Sequence, residues 1–155
     1  LIFLIIIYCF NFFGKFYLGD SGSYLISFYL AYFTIEFALN NELASPYLIC
    51  FFLWYPAFEN LFSIIRRLNL KKEIYQPDQK HLHQMIYKFF INSKIINHKI
   101  ANSFSANLIN LFNFIIFIIF YNYYNETKIL FFAITINVFL YLFIYFFLRK
   151  KLMNY

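Results

Sequence analysis

Long apolar runs alternate with short polar breaks along this chain. The runs cover residues 1–13, 21–39, 45–65, 104–124 and 129–148. The last four are each about 20 residues long, which is enough for a helix to cross the hydrocarbon core of a bilayer. They are continuously apolar rather than alternating, so a membrane barrel is excluded. The pattern predicts an all-α, polytopic bundle with about five membrane segments, of which the first is truncated.

The third run contains two prolines. Pro46 stands where a helix can begin without losing a hydrogen bond, and Pro56 lies inside the same run and is expected to kink the helix. We find no internal repeat or flexible linker in the sequence. Residues 1–155 are therefore predicted to form a single membrane unit.

The only long polar stretch, residues 66–102, connects the third and fourth runs. Its apolar residues recur with helical spacing, which predicts a helix with an apolar stripe. The stripe consists of Leu82, Met85, Ile86, Phe89 and Phe90. A basic helix of this kind is expected to lie in the membrane interface. A connection this long is usually functional.

Composition and charge orient this bundle. The chain is 63% hydrophobic and only 13% charged, which excludes an ordinary water-soluble domain. If the four complete runs alternate in direction, all of its 13 Lys and Arg residues except Lys128 fall on one side. Because basic residues favour the cytoplasmic side, Asp20, residues 66–102 and the C-terminus are predicted to be cytoplasmic.

The first run begins at Leu1 without a basic region before it or a cleavage site after it. We therefore expect the C-terminal part of a larger protein rather than a signal peptide. Cys9 and Cys50 lie in apolar runs without a CxxC partner, so neither a disulfide framework nor a zinc site is indicated.

The segment "GDSGS" places Asp20 at the start of the second run. Asp20 is interpreted either as the N-cap of the following helix or as a ligand of a metal ion. Gly19 and Gly22 allow the backbone to approach a ligand closely. A carboxylate beside the N–H groups of a helix start suits a hard cation that bridges to phosphate oxygens.

A second polar group occurs in "QPDQKHLHQ", which contains Asp78, Lys80, His81 and His83. Histidines two positions apart do not share a helix face, which argues against a zinc pair on a helix. In a cytoplasmic loop they can instead bind or orient a phosphate. The alternative is that all four are ordinary solvated loop residues.

Glu59 is an acid inside the third run, where a charge is costly. It is interpreted either as a functional group or as a structural partner of Arg66 or Arg67. Glu36 lies near the outer end of its own run and can reach the interface.

The order of GDSGS, P-x-x-E, RR and PD-x-x-H-L-H resembles the C-terminal half of the polyprenyl-phosphate N-acetylhexosamine-1-phosphate transferases. The resemblance covers the chain from about Asn11 to the last run. It implies a multi-pass enzyme of the bacterial inner membrane with a cytoplasmic active site. The implied reaction transfers a sugar 1-phosphate, such as GlcNAc-1-phosphate, from a UDP-sugar to undecaprenyl phosphate and releases UMP. This step initiates synthesis of cell-envelope polysaccharides such as O-antigen.

The resemblance also assigns roles to residues. Asp20 matches the metal-binding aspartate, for Mg²⁺ or Mn²⁺, and His81 and His83 match the catalytic histidine loop at the nucleotide diphosphate. Tyr17 lies where an aromatic residue stacks on uracil. The other implied substrate-binding residues are Asn11, Gly19, Ser23, Asp78 and Lys80. The bilayer is an implied partner, nucleic acid is not, and a homodimer is left open.

The sequence departs from the family pattern at several positions. Gln84 replaces a further histidine, Gln79 a common arginine, and Glu59 a more common aspartate, while "FNFFGKFYLGD" is one residue short. The family's Asp-Asp and N-x-x-D-G motifs would lie before Leu1, so these 155 residues alone are expected to be inactive. The alternatives are a non-catalytic, truncated membrane module and a transporter fragment. We find neither the repeated halves nor the discontinuous helices typical of transporters.

Overall fold

A computed structural model describes residues 2–16, 19–69, 80–94 and 96–153 of the chain. Within these ranges the secondary structure is helical and contains no strand. The helices are α1 (Ile2–Phe12), α2 (Gly19–Asn40), α3 (Pro46–Asn69), α4 (Leu82–Asn92), α5 (His98–Phe120) and α6 (Thr127–Met153), with a 3₁₀ turn at Tyr121–Tyr123.

Four of these helices, α2, α3, α5 and α6, are long and apolar enough to cross a membrane. The fold is therefore the predicted polytopic bundle, and the protein is a multi-pass membrane protein. The described part of α1 has 11 residues and is about 16 Å long. The α3 helix begins at Pro46, as predicted, and continues through Pro56.

Contacts between helix ends define the direction of each helix. At one end, which we call the basic end, Arg66 Nη1 of α3 donates to Tyr145 Oη of α6 (2.8 Å), and Lys151 Nζ lies 4.7 Å from the ring centre of Phe89 in α4. At the opposite end, the Ser45 N–H donates to the Tyr124 carbonyl (3.0 Å). The α3 and α6 helices therefore run in the same direction, toward the basic end, as the predicted alternation of crossings requires.

The α4 helix follows the apolar spacing of the sequence. Leu82, Met85 and Ile86 are buried in a cluster with residues of α3, α5 and α6, and Phe89 and Phe90 are packed against that cluster. The apolar stripe is thus covered largely by neighbouring helices of the same chain. The location of α4 in the membrane interface stays a prediction.

The α5 helix is displaced from the predicted span of 104–124. It begins at His98, because the Asn97 carbonyl accepts hydrogen bonds from the N–H groups of Ile100 and Ala101 (3.0 Å each). Ala101 and Ser105 are fully buried, and small residues of this kind let helices approach closely. The polar residues of these first turns made them look like a loop.

The α2 helix contrasts with the others because it has no buried residue. An apolar cavity of about 440 Å³ separates its C-terminal half from α3 and from the end of α5. Phe37 of α2 and Asn41, which follows it, line one side of this cavity. Leu48 of α3 and Tyr124, after α5, line the other. The C-terminal end of α2 is therefore at the Ser45 end of the bundle. Its first turn, with Asp20, consequently points toward the basic end.

Candidate functional site

The candidate site at the basic end is organised around the carboxylate of Glu59, which is only 7% exposed. Its Oε1 atom lies 3.0 Å from His81 Nδ1 and accepts the N–H of Leu82 at 3.0 Å. Glu59 therefore joins the middle of α3 to the start of α4. The sequence left open a functional role for Glu59 or a pair with Arg66 or Arg67; the structure pairs its carboxylate with His81, and a functional role stays a prediction.

The start of α4 explains why Glu59 can reach it. His81 has extended backbone angles (φ −67°, ψ 152°) and immediately precedes the first helical residue. The first N–H groups of a helix have no intrahelical acceptor and carry a partial positive charge. The Glu59 carboxylate satisfies one of them at Leu82, and Gln84 Oε1 accepts the His81 N–H at 3.4 Å.

Arg66 makes a second connection on the same side of α3. It donates to the Lys80 carbonyl (2.9 Å), to Tyr145 Oη (2.8 Å) and to Ser63 Oγ (3.3 Å). Glu59, Ser63 and Arg66 are spaced at i, i+4 and i+7, which places them on one face of α3. This polar face bonds to the main chain at Lys80 and Leu82 and to the side chain of His81. Its helical spacing is the signal in the sequence that was missed.

The two histidines of the motif lie next to each other. The rings of His81 and His83 are nearly parallel (12°), with centres 5.8 Å apart. Histidines at i and i+2 can meet here because His81 precedes the helix and His83 belongs to its first turn. Burial lowers the pKa of His83, the neighbouring His81 lowers it further, and Glu59 opposes both effects.

Two tyrosines surround Glu59 inside the bundle. The hydroxyl groups of Tyr55 and Tyr141 both lie close enough to the Glu59 carboxylate to interact with it. Their rings are 6.3 Å apart. Glu59 is therefore enclosed by aromatic side chains on one side and by the start of α4 on the other.

Asp20 is in a different environment. It is exposed in the first turn of α2, one residue after Gly19, and no described residue makes a hydrogen bond or ion pair with its side chain. No described main-chain N–H donates to the Asp20 carboxylate, so the hydrogen bond that the N-cap interpretation requires is not seen among the described residues. Gly19 has a φ of +64°, which is a left-handed conformation that favours glycine.

Of the remaining predicted site residues, some lie near Asp20 or His81 and others lie outside the described residues. Ser23 Oγ donates to the Gly19 carbonyl (2.9 Å), and Asn11 Nδ2 donates to the Phe16 carbonyl (3.1 Å), so both stabilise backbone near Asp20. The side chain of Lys80 is exposed beside His81. Tyr17 and Asp78 lie outside the described residues, and their roles stay predictions.

The described side chains also determine how a divalent cation could be held. Among the described residues, no three His, Cys, Asp or Glu side chains come close enough to hold a metal ion. Mg²⁺ usually takes only one or two protein carboxylates and completes its coordination with water and substrate phosphates. The exposed Asp20 therefore fits as a single ligand of Mg²⁺.

One comparison with known proteins finds a similar transferase. Over 96 residues, or 62% of its length, the chain is 34% identical to the undecaprenyl-phosphate alpha-N-acetylglucosaminyl 1-phosphate transferase of Thermotoga maritima. The match spans 32% of that relative. No protein-family profile matches the chain, and no solved structure is significantly similar to it. The similarity to this transferase confirms the resemblance to the polyprenyl-phosphate N-acetylhexosamine-1-phosphate transferases that the sequence motifs predicted.

Proposed function

We propose that this chain forms part of a membrane transferase that moves a sugar 1-phosphate from a UDP-sugar to undecaprenyl phosphate and releases UMP. The observation that carries the proposal is the 34% identity over 96 residues to the Thermotoga maritima transferase. The chain spans about a third of that relative, so the activity belongs to a protein that contains further segments.

The arrangement at the basic end supports this chemistry. Phosphoryl transfer needs little covalent help from a protein and depends mainly on positioning and on stabilising charge. His81 and His83 are stacked and held by α3, which suits them to orienting the diphosphate of the nucleotide. The exposed side chain of Lys80 beside them adds a positive charge for a phosphate.

Asp20 is proposed as the metal ligand of this site. It lies in the first turn of α2, which points to the same end of the bundle as His81. When bound there, Mg²⁺ or Mn²⁺ would neutralise charge on the pyrophosphate oxygens. The role of Asp20 itself is to present an unpaired carboxylate beside a helix start, where anionic oxygens are also favoured.

The acceptor lipid would approach from the bilayer. An apolar cavity of about 460 Å³ lies between α3, α4, α5 and α6. Its walls include Trp54, Leu82, Ile86 and Phe112, so the first residue of α4 lines the cavity directly after His81. A polyprenyl chain in this cavity would bring its phosphate to the level of the histidines. The proposed orientation places this end at the cytoplasmic face of the inner membrane.

The proposal is tested with membranes that carry the longer protein containing this chain. Given UDP-GlcNAc, undecaprenyl phosphate and Mg²⁺, they are expected to release UMP, and chelation of the metal is expected to stop it. The 155 residues alone are expected to release none, because the resemblance places two acidic motifs of the family before Leu1. Lack of lipid-dependent UMP release from the longer protein, with any UDP-sugar tried, would favour the non-catalytic membrane module.

A further inference from the structure

Glu59 accepts two hydrogen bonds with one oxygen atom. Oε1 lies 3.0 Å from His81 Nδ1 and 3.0 Å from the main-chain nitrogen of Leu82. The Leu82 N–H can only donate, so Oε1 acts as an acceptor in that bond. As an acceptor, Oε1 directs its lone pairs at both nitrogens. The proton of the second hydrogen bond therefore belongs to Nδ1 of His81.

From this geometry we infer that Glu59 is a positioning residue that holds the ring of His81 with Nδ1 as its protonated, donating nitrogen. The hydrogen bond made by one ring nitrogen of a histidine determines which nitrogen carries the proton. With Nδ1 as the donor, the lone pair of the neutral ring is on Nε2. Neutral imidazole in water prefers the opposite arrangement, so this tautomer is a specific consequence of the Glu59 carboxylate.

The main chain around His81 is held in place, so the hydrogen bond from Glu59 also fixes the orientation of the ring. The main chain on either side of His81 is fixed from α3, by Arg66 at the Lys80 carbonyl and by Glu59 at the Leu82 N–H. The His81 side chain is 24% exposed and that of Glu59 is 9% exposed, so the hydrogen bond is largely shielded from competing water. Ring orientation and tautomer are thus set together by one face of α3.

This inference deepens the proposed function and rests on it only for its catalytic consequence. In a transferase, the tautomer decides whether Nε2 of neutral His81 accepts or donates a hydrogen bond at the substrate. Displacing a positioned group by about 1 Å can reduce the rate about a hundredfold. Loss of the Glu59 hydrogen bonds is therefore expected to lower UMP release by up to about this factor.

The tautomer is measured directly by NMR on the chain labelled with ¹⁵N-histidine in lipid nanodiscs. The chain has three histidines, and His83→Gln and His98→Gln assign the signals. The tautomer is read at the high-pH end of a titration, where the ring signals no longer change with pH. His81 is expected to be protonated at Nδ1. Protonation at Nε2 in the wild-type chain would overturn the inference.

Two substitutions separate positioning from simple packing. Glu59→Gln keeps a carbonyl oxygen for both donors and is expected to retain the Nδ1 tautomer. Glu59→Leu removes the acceptor, so the Nε2 tautomer and faster exchange of the Leu82 amide hydrogen are expected. Glu36→Leu is the same change at an exposed residue of α2. It is expected to alter neither the His81 tautomer nor the exchange rate of the Leu82 amide hydrogen. Equal tautomers in the Gln and Leu variants would contradict the role of Glu59.

An activity assay of the longer protein distinguishes this inference from the proposed function. UMP release is expected to persist in Glu59→Gln and to fall strongly in Glu59→Leu. If His81 shows the Nδ1 tautomer but no protein releases UMP, the proposed function fails and the positioning role of Glu59 stands. If UMP is released while His81 is protonated at Nε2, the proposed function stands and the positioning role fails.

Discussion

The surroundings of His81 and those of Asp20 differ in how much support the chain itself provides. His81 is bonded to Glu59, stacked on His83 and flanked by main-chain atoms that α3 holds in place. Asp20 is exposed on a helix without buried residues, and no described residue contacts its carboxylate through a hydrogen bond or ion pair. The histidine part of the proposed site is therefore preorganised within this chain. The acidic part depends on a cation, a substrate or further protein to complete it.

The first test asks whether the two regions share a side of the membrane. In a background with Cys9→Ser and Cys50→Ser, cysteines at Asn40 and Asn125 are expected to react with an impermeant reagent added outside intact cells. Cysteines at Asp20 and Gln79 are expected to react only after permeabilisation. The reason is that basic residues cluster at the end where α3 and α6 terminate. Labelling of Asp20→Cys but not Gln79→Cys would separate the two halves of the proposed site.

The next largest effect is expected for Asp20→Asn in the longer protein. The change keeps the size of the side chain but removes the charge that would hold Mg²⁺. Loss of one well-placed electrostatic group typically lowers a rate on the order of a hundredfold or more. UMP release is expected to fall by about that factor, while thermal unfolding stays unchanged because the carboxylate has no partner in the described chain.

Glu36→Gln is the matched control for Asp20, since it is the same chemical change at another exposed position of α2. It is expected to leave UMP release unchanged. Near-normal turnover of Asp20→Asn at low Mg²⁺ would remove Asp20 from the metal site. Equal losses in the two variants would instead show a general effect of negative charge on α2.

The contrast also explains what the sequence could predict. The membrane helices and the α4 stripe followed from apolar spacing alone, because burying apolar side chains or facing lipid requires that spacing. Asp20 and the histidines were recognised from local motifs. The partner of Glu59 was missed because His81 is 22 residues away, and such long-range pairs depend on how α4 packs against α3.

The boundaries of α5 show a second limit. Its first turns read "HKIANS", and their polar residues indicated a loop. Helix formation there is decided by tertiary packing, since the buried Ala101 and Ser105 are small enough for close contact. Local polarity could not reveal this packing partner.

A smaller effect is expected when the support of the histidine region is weakened at Arg66. Arg66→Met keeps an apolar stem but loses the hydrogen bonds to Tyr145 and to the Lys80 carbonyl. Hydrogen bonds of charged groups contribute about 1.5–3 kcal/mol each, and partial exposure reduces this value here. We expect the free energy of unfolding, measured in detergent, to fall by about 1–3 kcal/mol.

The control for Arg66 is Arg149→Met, at an exposed position near the end of α6. It is expected to change the free energy of unfolding by less than about 0.5 kcal/mol. Similar losses in both variants would mean that basic residues at this end act through overall charge. The hydrogen bonds of Arg66 would then not stabilise the histidine region specifically, and this difference from the surroundings of Asp20 would disappear.

The smallest expected effect concerns the pH dependence that His83 gives to stability. Its pKa is lowered in the folded state, mainly by burial and then by His81. Above the unfolded pKa of about 6.5 both states are neutral, so His83 adds no pH dependence there. As the pH falls through this value the unfolded state binds the proton more readily, and the folded state loses stability. Between about pH 7.5 and 5.5, the free energy of unfolding is therefore expected to fall more in the wild-type chain than in His83→Gln. The control is His98→Gln, at an exposed position, which is expected to follow the wild type. A smaller loss in the wild type would mean that the Glu59 carboxylate outweighs burial at His83.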